Sequence, residues 1–439
     1  MAAPKRTVTT RALTGALYLM VAGGPYALEE LLSSVGPTLA IVVLIVTPVV
    51  WSLPTALMVG ELGAALPEEG GYFAWVGRAL GPFFAFQEAW LSIAASIFDM
   101  AIYPTIFISY LSHFAPAATL HPWDWAIGAT MLGGAALANM RGSKSVGESS
   151  FFSALVLLLP FLAVTLLLLF KAPHAAAVPA VSNQRDLLGG ILIAMWNTMG
   201  WDNASTIAGE VSNPQRTYPR AVAFSILLVT LTYVIPTAAV AVAHVDTSGW
   251  ETGAWVDLAN DVGGGPLALA VVVGGLLCGF GMLNALVLSY SRIPMVLAEA
   301  GYLPKALASR SAKTDAPIAA IFVSCALWMM TLGISFDRLV SIDLILYGLA
   351  LLLEFVALGV LRMREPDLHR PYKVPGGTIG VWLLGLPPLA LLVIALIKNE
   401  HESIFGMNAL LFGALVVAAG PLLYLLLRGR FLPKKSPPS

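Results

Sequence analysis

The chain has 439 residues, of which 58% are hydrophobic and only 11% are charged, and its mean hydropathy is +0.82. This apolar content exceeds the roughly 45–50% of soluble domains and excludes an ordinary soluble globular protein. The formal net charge is -1 and the basic residues form no continuous stripe, which argues against nucleic-acid binding.

Twelve segments are long and apolar enough to cross a bilayer as helices, for which about 20 residues are needed. The predicted spans are 12–34, 38–59, 82–112, 124–140, 149–170, 187–209, 219–243, 266–298, 317–334, 339–361, 378–397 and 404–427. We therefore expect an all-α membrane protein with one polytopic domain over residues 1–439. We expect the first span to be retained rather than cleaved as a signal peptide, because so much membrane-spanning sequence follows it.

Two of these spans contain interior breaks. The run Gly23-Gly24-Pro25 interrupts the first span, because glycine lowers helix propensity and proline lacks an amide donor. The polar run from Trp196 to Asn203 interrupts the sixth span at a depth where lipid offers no polar partners. A kink for packing would explain one break. Two breaks in corresponding positions of two halves favour a carrier's binding site near the midplane.

Acidic residues near these breaks sharpen the prediction. A charged side chain at mid-membrane costs about 2.5–3.5 kcal/mol on insertion scales, so several of them indicate a function. Glu29 follows the first break, Asp202 lies in the second and Asp99 falls near the middle of the third span, and we expect the three to converge. No basic residue lies in the middle of a span, so these acids must carry a proton or attract a cation.

Other acids leave alternatives open. Glu88 shares a helix face with Asp99 three turns closer to the cytoplasm. Glu354, in the inner half of the tenth span, is either a neutral packing acid or part of a proton path. Glu30 and Asp343 either belong to a site or reach the interface and pair locally. A further acidic loop, near 244–265, contains no Lys or Arg. It either attracts cations or is a solvated loop, and the solvated loop is the favoured prediction.

The distribution of basic residues predicts the orientation. With twelve spans, 20 of the 24 Lys and Arg residues fall on one side, which the positive-inside rule assigns to the cytoplasm. We therefore expect an integral protein of the plasma (inner) membrane with both termini cytoplasmic. The four basic residues on the other side are Lys171, Arg185, Arg338 and Lys398.

The candidate site combines backbone groups at the breaks, the acids and nearby aromatic rings, which can pack on alkyl chains or contact cations. The candidate substrate-binding residues are Gly23, Gly24, Tyr26, Glu29, Asp99, Tyr103, Trp196, Asn197, Gly200, Trp201 and Asp202. The candidate proton-coupling residues are Asp202, Glu29, Asp99 and Glu354. The two cysteines lack metal-ligand spacing and no histidine lies well inside a span, so we expect no metal, no cofactor and no catalytic residues.

Short motifs spread over about residues 12–400 resemble, in the expected order, the amino acid/polyamine/organocation superfamily of secondary carriers. These motifs are Glu61-Leu62-Gly63, Pro67-Glu68-Glu69-Gly70-Gly71-Tyr72, Gly81-Pro82-Phe83, Asn139-Met140-Arg141-Gly142, Ala208-Gly209-Glu210-Val211-Ser212-Asn213-Pro214-Gln215-Arg216, Gly301-Tyr302-Leu303-Pro304-Lys305 and Arg370-Pro371-Tyr372-Lys373-Val374-Pro375. Within the superfamily, the plant polyamine-uptake branch and its prokaryotic relatives look most similar. The stretches that carry this closer likeness are Gly23-Gly24-Pro25-Tyr26-Ala27-Leu28-Glu29, Asp99-Met100-Ala101-Ile102-Tyr103-Pro104, Trp201-Asp202 and Leu353-Glu354-Phe355.

The resemblance implies a LeuT-type fold that works by alternating access. Spans 1–5 and 6–10 would form inverted five-helix repeats with broken helices 1 and 6, spans 1–6 covering 12–209, spans 7–10 covering 219–361 and spans 11–12 covering 378–427. Trp196 falls where related antiporters have a gating aromatic residue, and Asp202 where they have an acid tied to substrate or proton. Two departures matter: Pro25 cannot donate an amide to a substrate carboxylate, and Leu157 stands where some proton-coupled carriers have a lysine.

We therefore expect a proton-coupled importer of polyamines or related organic cations, whose partners are the small-molecule substrate, protons and the lipid bilayer. The main alternative is a permease for zwitterionic or cationic amino acids that uses backbone groups at the breaks, and a transporter-like nutrient sensor is a third. An ion channel fits less well, since the polar residues cluster at one depth, and an enzyme lacks a catalytic constellation.

Overall fold

A computed structural model of the protein describes residues 6–171, 186–400, 403–404 and 406–430. Its α-helices are α1 (Thr10–Val21), α2 (Glu29–Val35), α3 (Pro37–Thr47), α4 (Leu53–Ala65), α5 (Tyr72–Leu80), α6 (Pro82–Ser112), α7 (Trp123–Asn139), α8 (Ser143–Lys171), α9 (Leu187–Trp196), α10 (Pro214–Val242), α11 (Trp255–Gly263), α12 (Gly265–Tyr290), α13 (Arg292–Glu299), α14 (Ile318–Trp328), α15 (Phe336–Arg364), α16 (Gly377–Leu384), α17 (Leu386–Lys398) and α18 (Ala409–Leu427). One short antiparallel pair, β1 (Ser403–Ile404) with β2 (Met407–Asn408), precedes α18 and departs from a purely helical chain.

Eight helical segments of the described chain are long and apolar enough to cross a membrane. They are Pro37–Ala65, Pro82–Ser112, Ser143–Phe170, Pro214–Val242, Gly265–Glu299, Arg338–Arg364, Gly377–Lys398 and Ala409–Leu427. The other four predicted spans correspond to shorter or interrupted helices. The fourth is the 17-residue α7, the ninth is Ile318–Thr331, and the first and sixth are broken in their interiors.

The first broken helix consists of α1 and α2. Thr9 caps α1 by accepting a hydrogen bond from the amide of Ala12, and the helix ends at Val21 before an extended Ala22. Gly24, with φ of 74°, then adopts a left-handed conformation that an L side chain would strain. Helical structure resumes at Glu29.

The second broken helix begins with α9 and ends in a 3₁₀ helix, Asn203–Glu210. Asp186 caps α9 by accepting from the amide of Gly189. The α-helix stops at Trp196, and Gly200, with φ of 91°, turns the chain before the 3₁₀ segment starts. The structure thus interrupts both helices at the runs that the sequence singled out.

The two broken helices are enclosed by long helices. Helix α1, the first half of the first broken helix, packs on α8, α10 and α12. Helices α6 and α15 pack against each other along their lengths. One contiguous cluster of buried apolar residues runs through these helices, from Val8 to Tyr424. We call the end of the bundle with Arg78, Arg292 and Arg362 the basic end, and the end with Asp186 the opposite end.

Glycines on α12 let neighbouring helices approach closely, as expected for small residues at helix contacts. A Cβ added at Gly279 would lie 2.8 Å from the carbonyl oxygen of Tyr103 and 3.0 Å from the Cβ of Phe107, both on α6. A Cβ at Gly275 would lie 2.3 Å from the ring of Tyr110 on the same helix. These contacts fix α12 against the face of α6 that carries the acidic site.

We expect Gly279→Ala to reduce the stability of the folded protein by about 1–3 kcal/mol, because the added methyl must displace the α6 backbone. Gly133→Ala is the matched control, since Gly133 also lies inside a helix but has no atom within 4 Å of an added Cβ. The control should be neutral or stabilising by up to about 1 kcal/mol. The midpoint of thermal unfolding in detergent measures both, and equal midpoints for the two variants would contradict this packing.

Candidate functional site

Side chains of other helices satisfy the backbone groups that the first break frees. The indole nitrogen of Trp255 donates to the carbonyl of Pro25 at 2.9 Å, and the side-chain amide of Asn197 donates to the carbonyl of Ala27 at 3.3 Å. These bonds replace the missing helical partners at a depth without water. The second of them also ties the two breaks to each other.

Side chains of other helices also bind the backbone groups of the second break. Tyr233 donates to the carbonyl of Asn197 at 2.8 Å, and Ser52 donates to that of Thr198 at 2.6 Å. The amide of Gly200 donates to the hydroxyl of Tyr347 at 3.0 Å. Backbone groups that the sequence offered as substrate ligands, at Asn197 and Gly200, therefore have protein partners in this conformation.

Asp202 lies in the second break and faces α15. Its side chain is buried, and its Oδ1 accepts a hydrogen bond from Tyr347 at 2.5 Å. The hydroxyl of Tyr347 also accepts a hydrogen bond from the amide of Gly200, so one hydroxyl links the carboxylate, the break and α15. Asp202 is thus connected through Tyr347 to the backbone of the second break.

Asp99 lies on α6 and is held by two tyrosines. Tyr103, one turn further along the same helix, donates to Oδ1 at 2.6 Å, and Tyr290 of α12 donates to Oδ2 at 3.1 Å. The ring of Trp196 packs against Tyr103 with centroids 6.3 Å apart. The candidate residues Asp99, Tyr103 and Trp196 therefore form one contiguous group.

Glu29 lies at a different level and does not join this group. Its carboxylate accepts hydrogen bonds from the hydroxyl of Tyr110 and, at 2.9 Å, from the amide of Gly253. Tyr110 is seven residues beyond Tyr103 on α6, which places it about 10 Å further along the helix axis. The hydrogen bonds therefore place Glu29 apart from Asp99 and Asp202, with which the sequence predicts it to converge.

The loop between α10 and α12 does more than its acidic composition predicts. We interpreted 244–265 as a solvated loop, but it contains α11, whose Trp255 is fully buried and bonds the first break. Its Gly253 binds Glu29. The loop therefore closes over the first broken helix, a long-range contact that composition does not reveal.

Three further buried acids lie near Asp202. Asp343 of α15 interacts electrostatically with both Asp99 and Asp202, and Glu88 and Glu354 each interact with Asp202. All three side chains are 0–1% exposed. Asp343, which the sequence left undecided between site and interface, is thus in the interior beside the candidate site.

The remaining candidate residues are buried in the surrounding helix contacts, and Tyr26 lies at the level of Glu29 rather than of Asp99. The hydroxyl of Tyr26 lies 3.3 Å from the carbonyl of Leu157 and 3.2 Å from that of Val271, and its ring packs edge-on against Tyr110. Trp201 is fully buried and donates to the carbonyl of Thr198. A Cβ added at Gly23 would lie 2.2 Å from the sulfur of Cys278, so this position is closely packed. Gly24 faces Leu157 and Leu158.

A cavity of about 570 Å³, which we call the vestibule, opens at the opposite end above this group. Its walls come from α2, α6, α9 and α15, and Glu30, Asp186 and Glu251 line it. Phe336 lies in its lining and packs edge-on against Trp196 with centroids 5.3 Å apart. The aromatic rings therefore form a floor that separates the vestibule from Asp99.

A second cavity of about 550 Å³ adjoins the vestibule and shares Glu251 and Trp250 with it. Its lining adds Asp246, Asp257 and Asp261. Lys398 also lines the vestibule and pairs with Asp186 at 2.7 Å. The remaining acids of the two cavities give the opposite end an excess of negative charge, which attracts cations.

Buried ion pairs close the basic end. Arg292 binds Glu210 at 3.0 Å, with side chains 0% and 4% exposed, and Ser143 bonds to both. These residues are far apart in sequence, so no local pattern predicts their pairing. Because both charges are out of water, the pair is costly to separate once formed.

A second network lies beside it. The fully buried Glu61 binds Arg362 at 2.5 Å and Arg370 at 3.0 Å. Nearby, Arg310 binds Glu69 at 2.6 Å. Burial, together with the negative charge of Glu210, raises the pKa of Glu69 to about 7.

Comparisons with known proteins agree with this architecture. A family model described as amino acid permease matches residues 8–418. A polyamine transporter of Oryza sativa subsp. japonica is 34% identical over 423 residues, covering 95% of this chain and 79% of that protein. A polyamine transporter of Arabidopsis thaliana is 31% identical over 415 residues, covering 93% and 84%.

A more distant relative is a serine/threonine exchanger of Bacillus subtilis, 25% identical over 342 residues that cover 74% of this chain and 75% of that protein. The family match spans nearly the whole chain, including both broken helices and the buried acids. The chain therefore belongs to the amino acid permease family of the amino acid/polyamine/organocation superfamily, and it is an integral membrane transporter of small molecules.

Proposed function

We propose that the protein is a secondary carrier that imports polyamines or related organic cations together with protons. The observation that carries this proposal is the set of buried acids at the second break. Asp99, Asp202 and Asp343 are at most 4% exposed, and none of them forms an ion pair with a Lys or Arg among the described residues. Buried carboxylates without a cation are costly unless they bind a proton or a positively charged ligand.

A polyamine supplies what this site lacks. Its ammonium groups would replace the missing basic partners of Asp99 and Asp202, and Trp196 and Trp201 would enclose the methylene chain between them, through packing and cation–π contacts. Backbone groups at Gly23, Gly24, Asn197 and Gly200 would border the substrate, with Tyr26 and Tyr103 as walls. The relatives named polyamine transporters support this choice of substrate class.

The proposed architecture is one polytopic domain of twelve spans. Spans 1–5 and 6–10 would be inverted repeats, with their first helices broken and two further helices at the end. The basic end would face the cytoplasm together with both termini, and the protein would reside in the plasma (inner) membrane. The distribution of Lys and Arg supports this orientation.

Alternating access would then connect the two ends of the bundle. The vestibule would receive the substrate from outside while the ion pairs of Arg292 and Glu61 hold the basic end closed. Displacement of Trp196 and Phe336 would admit the cation, and separation of the ion pairs would release it inside. Asp202, Glu29, Asp99 and Glu354 are the groups we propose to exchange protons in this cycle.

A carrier of zwitterionic amino acids is the second candidate, and the similarity to a serine/threonine exchanger favours it. That mechanism needs free backbone groups at the breaks to hold a substrate carboxylate. Pro25 has no amide, and the amide of Gly200 already donates to Tyr347. Three carboxylates nearby would also repel a substrate carboxylate, which favours the organic cation.

The test is uptake by the purified full chain in proteoliposomes. Labelled putrescine, spermidine, serine and arginine are offered with and without an inside-alkaline pH gradient. We expect saturable uptake of the two polyamines, accelerated by the gradient and returned to the basal rate by a protonophore. Uptake of serine alone would support the amino-acid permease, and ligand binding without transport of any of these compounds would support a sensor.

A further inference from the structure

Asp343 is the buried acid at the candidate site whose carboxylate has both oxygens available to a ligand among the described residues. It lies on α15, one turn before Tyr347, and its side chain is 0% exposed. Neither of its carboxylate oxygens has a hydrogen-bond partner among the described residues. By contrast, both oxygens of Asp99 accept from tyrosines, and Oδ1 of Asp202 accepts from Tyr347.

The groups that interact electrostatically with Asp343 come from other elements, and none of those among the described residues is basic. Asp99 and Tyr103 of α6, Tyr290 of α12 and Asp202 of the second break all interact with it electrostatically. Three carboxylates, from α15, α6 and the second break, therefore interact with one another, and the tyrosine hydroxyls are the other polar groups that interact with Asp343 among the described residues. A charge cluster of this sign has no internal compensation.

Asp343 also lies close to the vestibule along α15. It is three residues beyond Val340, which lines the vestibule, and seven beyond Phe336 in its floor. A cation that passes the floor would reach the space between Asp343 and Asp99 before it reaches Asp202.

A second pair of acids lies deeper and repeats the spacing. Glu88 precedes Asp99 by 11 residues on α6, and Glu354 follows Asp343 by 11 residues on α15, in each case about 16 Å along a helix axis. The two helices pack together and run in opposite directions, since α6 starts and α15 ends at the basic end. Asp99 is therefore level with Asp343, Glu88 is level with Glu354, and each deep acid retains one oxygen without a partner.

We propose that Asp343 and Asp99 form a binding subsite for one ammonium group, and that Asp202 offers its negative charge to a second one. The deeper pair, about 16 Å further along the helices, lies beyond the reach of a four-carbon diamine. The two subsites then make the carrier select substrates with two or more separated ammonium groups over monoamines and zwitterions. This inference rests on the proposed transport of organic cations and specifies how that site chooses among them.

Binding to purified full-length protein tests the subsite, with the ligand-induced shift of the thermal midpoint as the readout for Kd. The probes are putrescine and n-butylamine, which share a carbon chain but carry two and one ammonium groups. Asp343→Asn removes the charge at constant shape. We expect it to weaken putrescine binding about tenfold or more while butylamine binding changes less than about threefold, because only the diamine needs both subsites.

Two further variants complete the comparison. Asp367→Asn removes the same charge from an exposed position between α15 and α16, outside both cavities, and it should leave the preference for putrescine intact. Asp343→Glu retains the carboxylate and should retain the preference as well. It carries the test if Asp343→Asn does not purify as a folded protein, and loss of the preference in a folded Asp343→Glu would overturn the proposal.

The outcomes separate this subsite from the transport function. Unchanged putrescine binding in Asp343→Asn, or an equal loss for both amines, overturns the subsite while wild-type polyamine uptake leaves the proposed function standing. If the wild-type protein neither binds nor transports any amine, it is the proposed function that fails.

Discussion

Replacing Asp202 by Asn is expected to lower the initial rate of polyamine uptake at least about 30-fold, because the variant leaves a substrate ammonium without its central counter-charge. The carboxylate lies in the second break, is buried, and binds the hydroxyl that also receives the amide of Gly200. The substitution keeps the shape of the side chain and removes its charge. Proteoliposome uptake of labelled putrescine measures the effect.

Tyr347→Phe is the matched control for this result. It keeps the charge of Asp202 and removes two hydrogen bonds, the one that Tyr347 donates to Asp202 and the one that it accepts from the amide of Gly200. We therefore expect a reduction of about threefold to tenfold. A rate for Asp202→Asn within about twofold of the wild type would contradict a role for its charge in binding or coupling.

Glu61→Gln is expected to reduce the stability of the folded protein by about 3–5 kcal/mol, because it leaves buried guanidinium groups without their shared counter-charge. Glu61 is fully buried and binds Arg362 and Arg370, while it also accepts from the amide of Val374 at 2.7 Å. The variant therefore unties α4 from the end of α15 and from the chain that follows. Thermal unfolding in detergent detects the loss.

The control for this prediction is an ion pair at the same end of the bundle in an exposed position. Arg78 binds Glu365 at 2.7 Å, but their side chains are 40% and 31% exposed. Arg78→Gln should change the stability by no more than about 1 kcal/mol, since water screens the pair. Comparable losses for Glu61→Gln and Arg78→Gln would show that burial is not what makes the first pair costly to break.

The broken helices were predictable because their causes are local. Gly24 adopts a positive φ and Pro25 lacks an amide donor, and the polar run from Trp196 to Asn203 interrupts the apolar sequence of the sixth span. The burial of Asp99 and Asp202 is expected from their positions within apolar segments. These features depend on residues close together in the chain.

What the sequence did not reveal depends on contacts between distant residues. The predicted tenth span began at residue 339, so Asp343 was placed near its outer end, whereas α15 begins at Phe336 and packs on α6, which buries Asp343 beside Asp99. Glu29 was expected beside Asp99, but Tyr110 and Gly253 hold it at another level. Burial and partners of this kind are set by the packing of whole helices, which periodicity alone does not specify.

The measurement that tests the central claim most directly is competition for uptake of labelled putrescine into proteoliposomes that contain the wild-type chain. If buried carboxylates bind an organic cation for transport, uptake will saturate, excess spermidine will suppress it, and excess serine will leave it unchanged. Saturable serine uptake that excess putrescine does not affect, with no putrescine uptake of its own, would contradict the account.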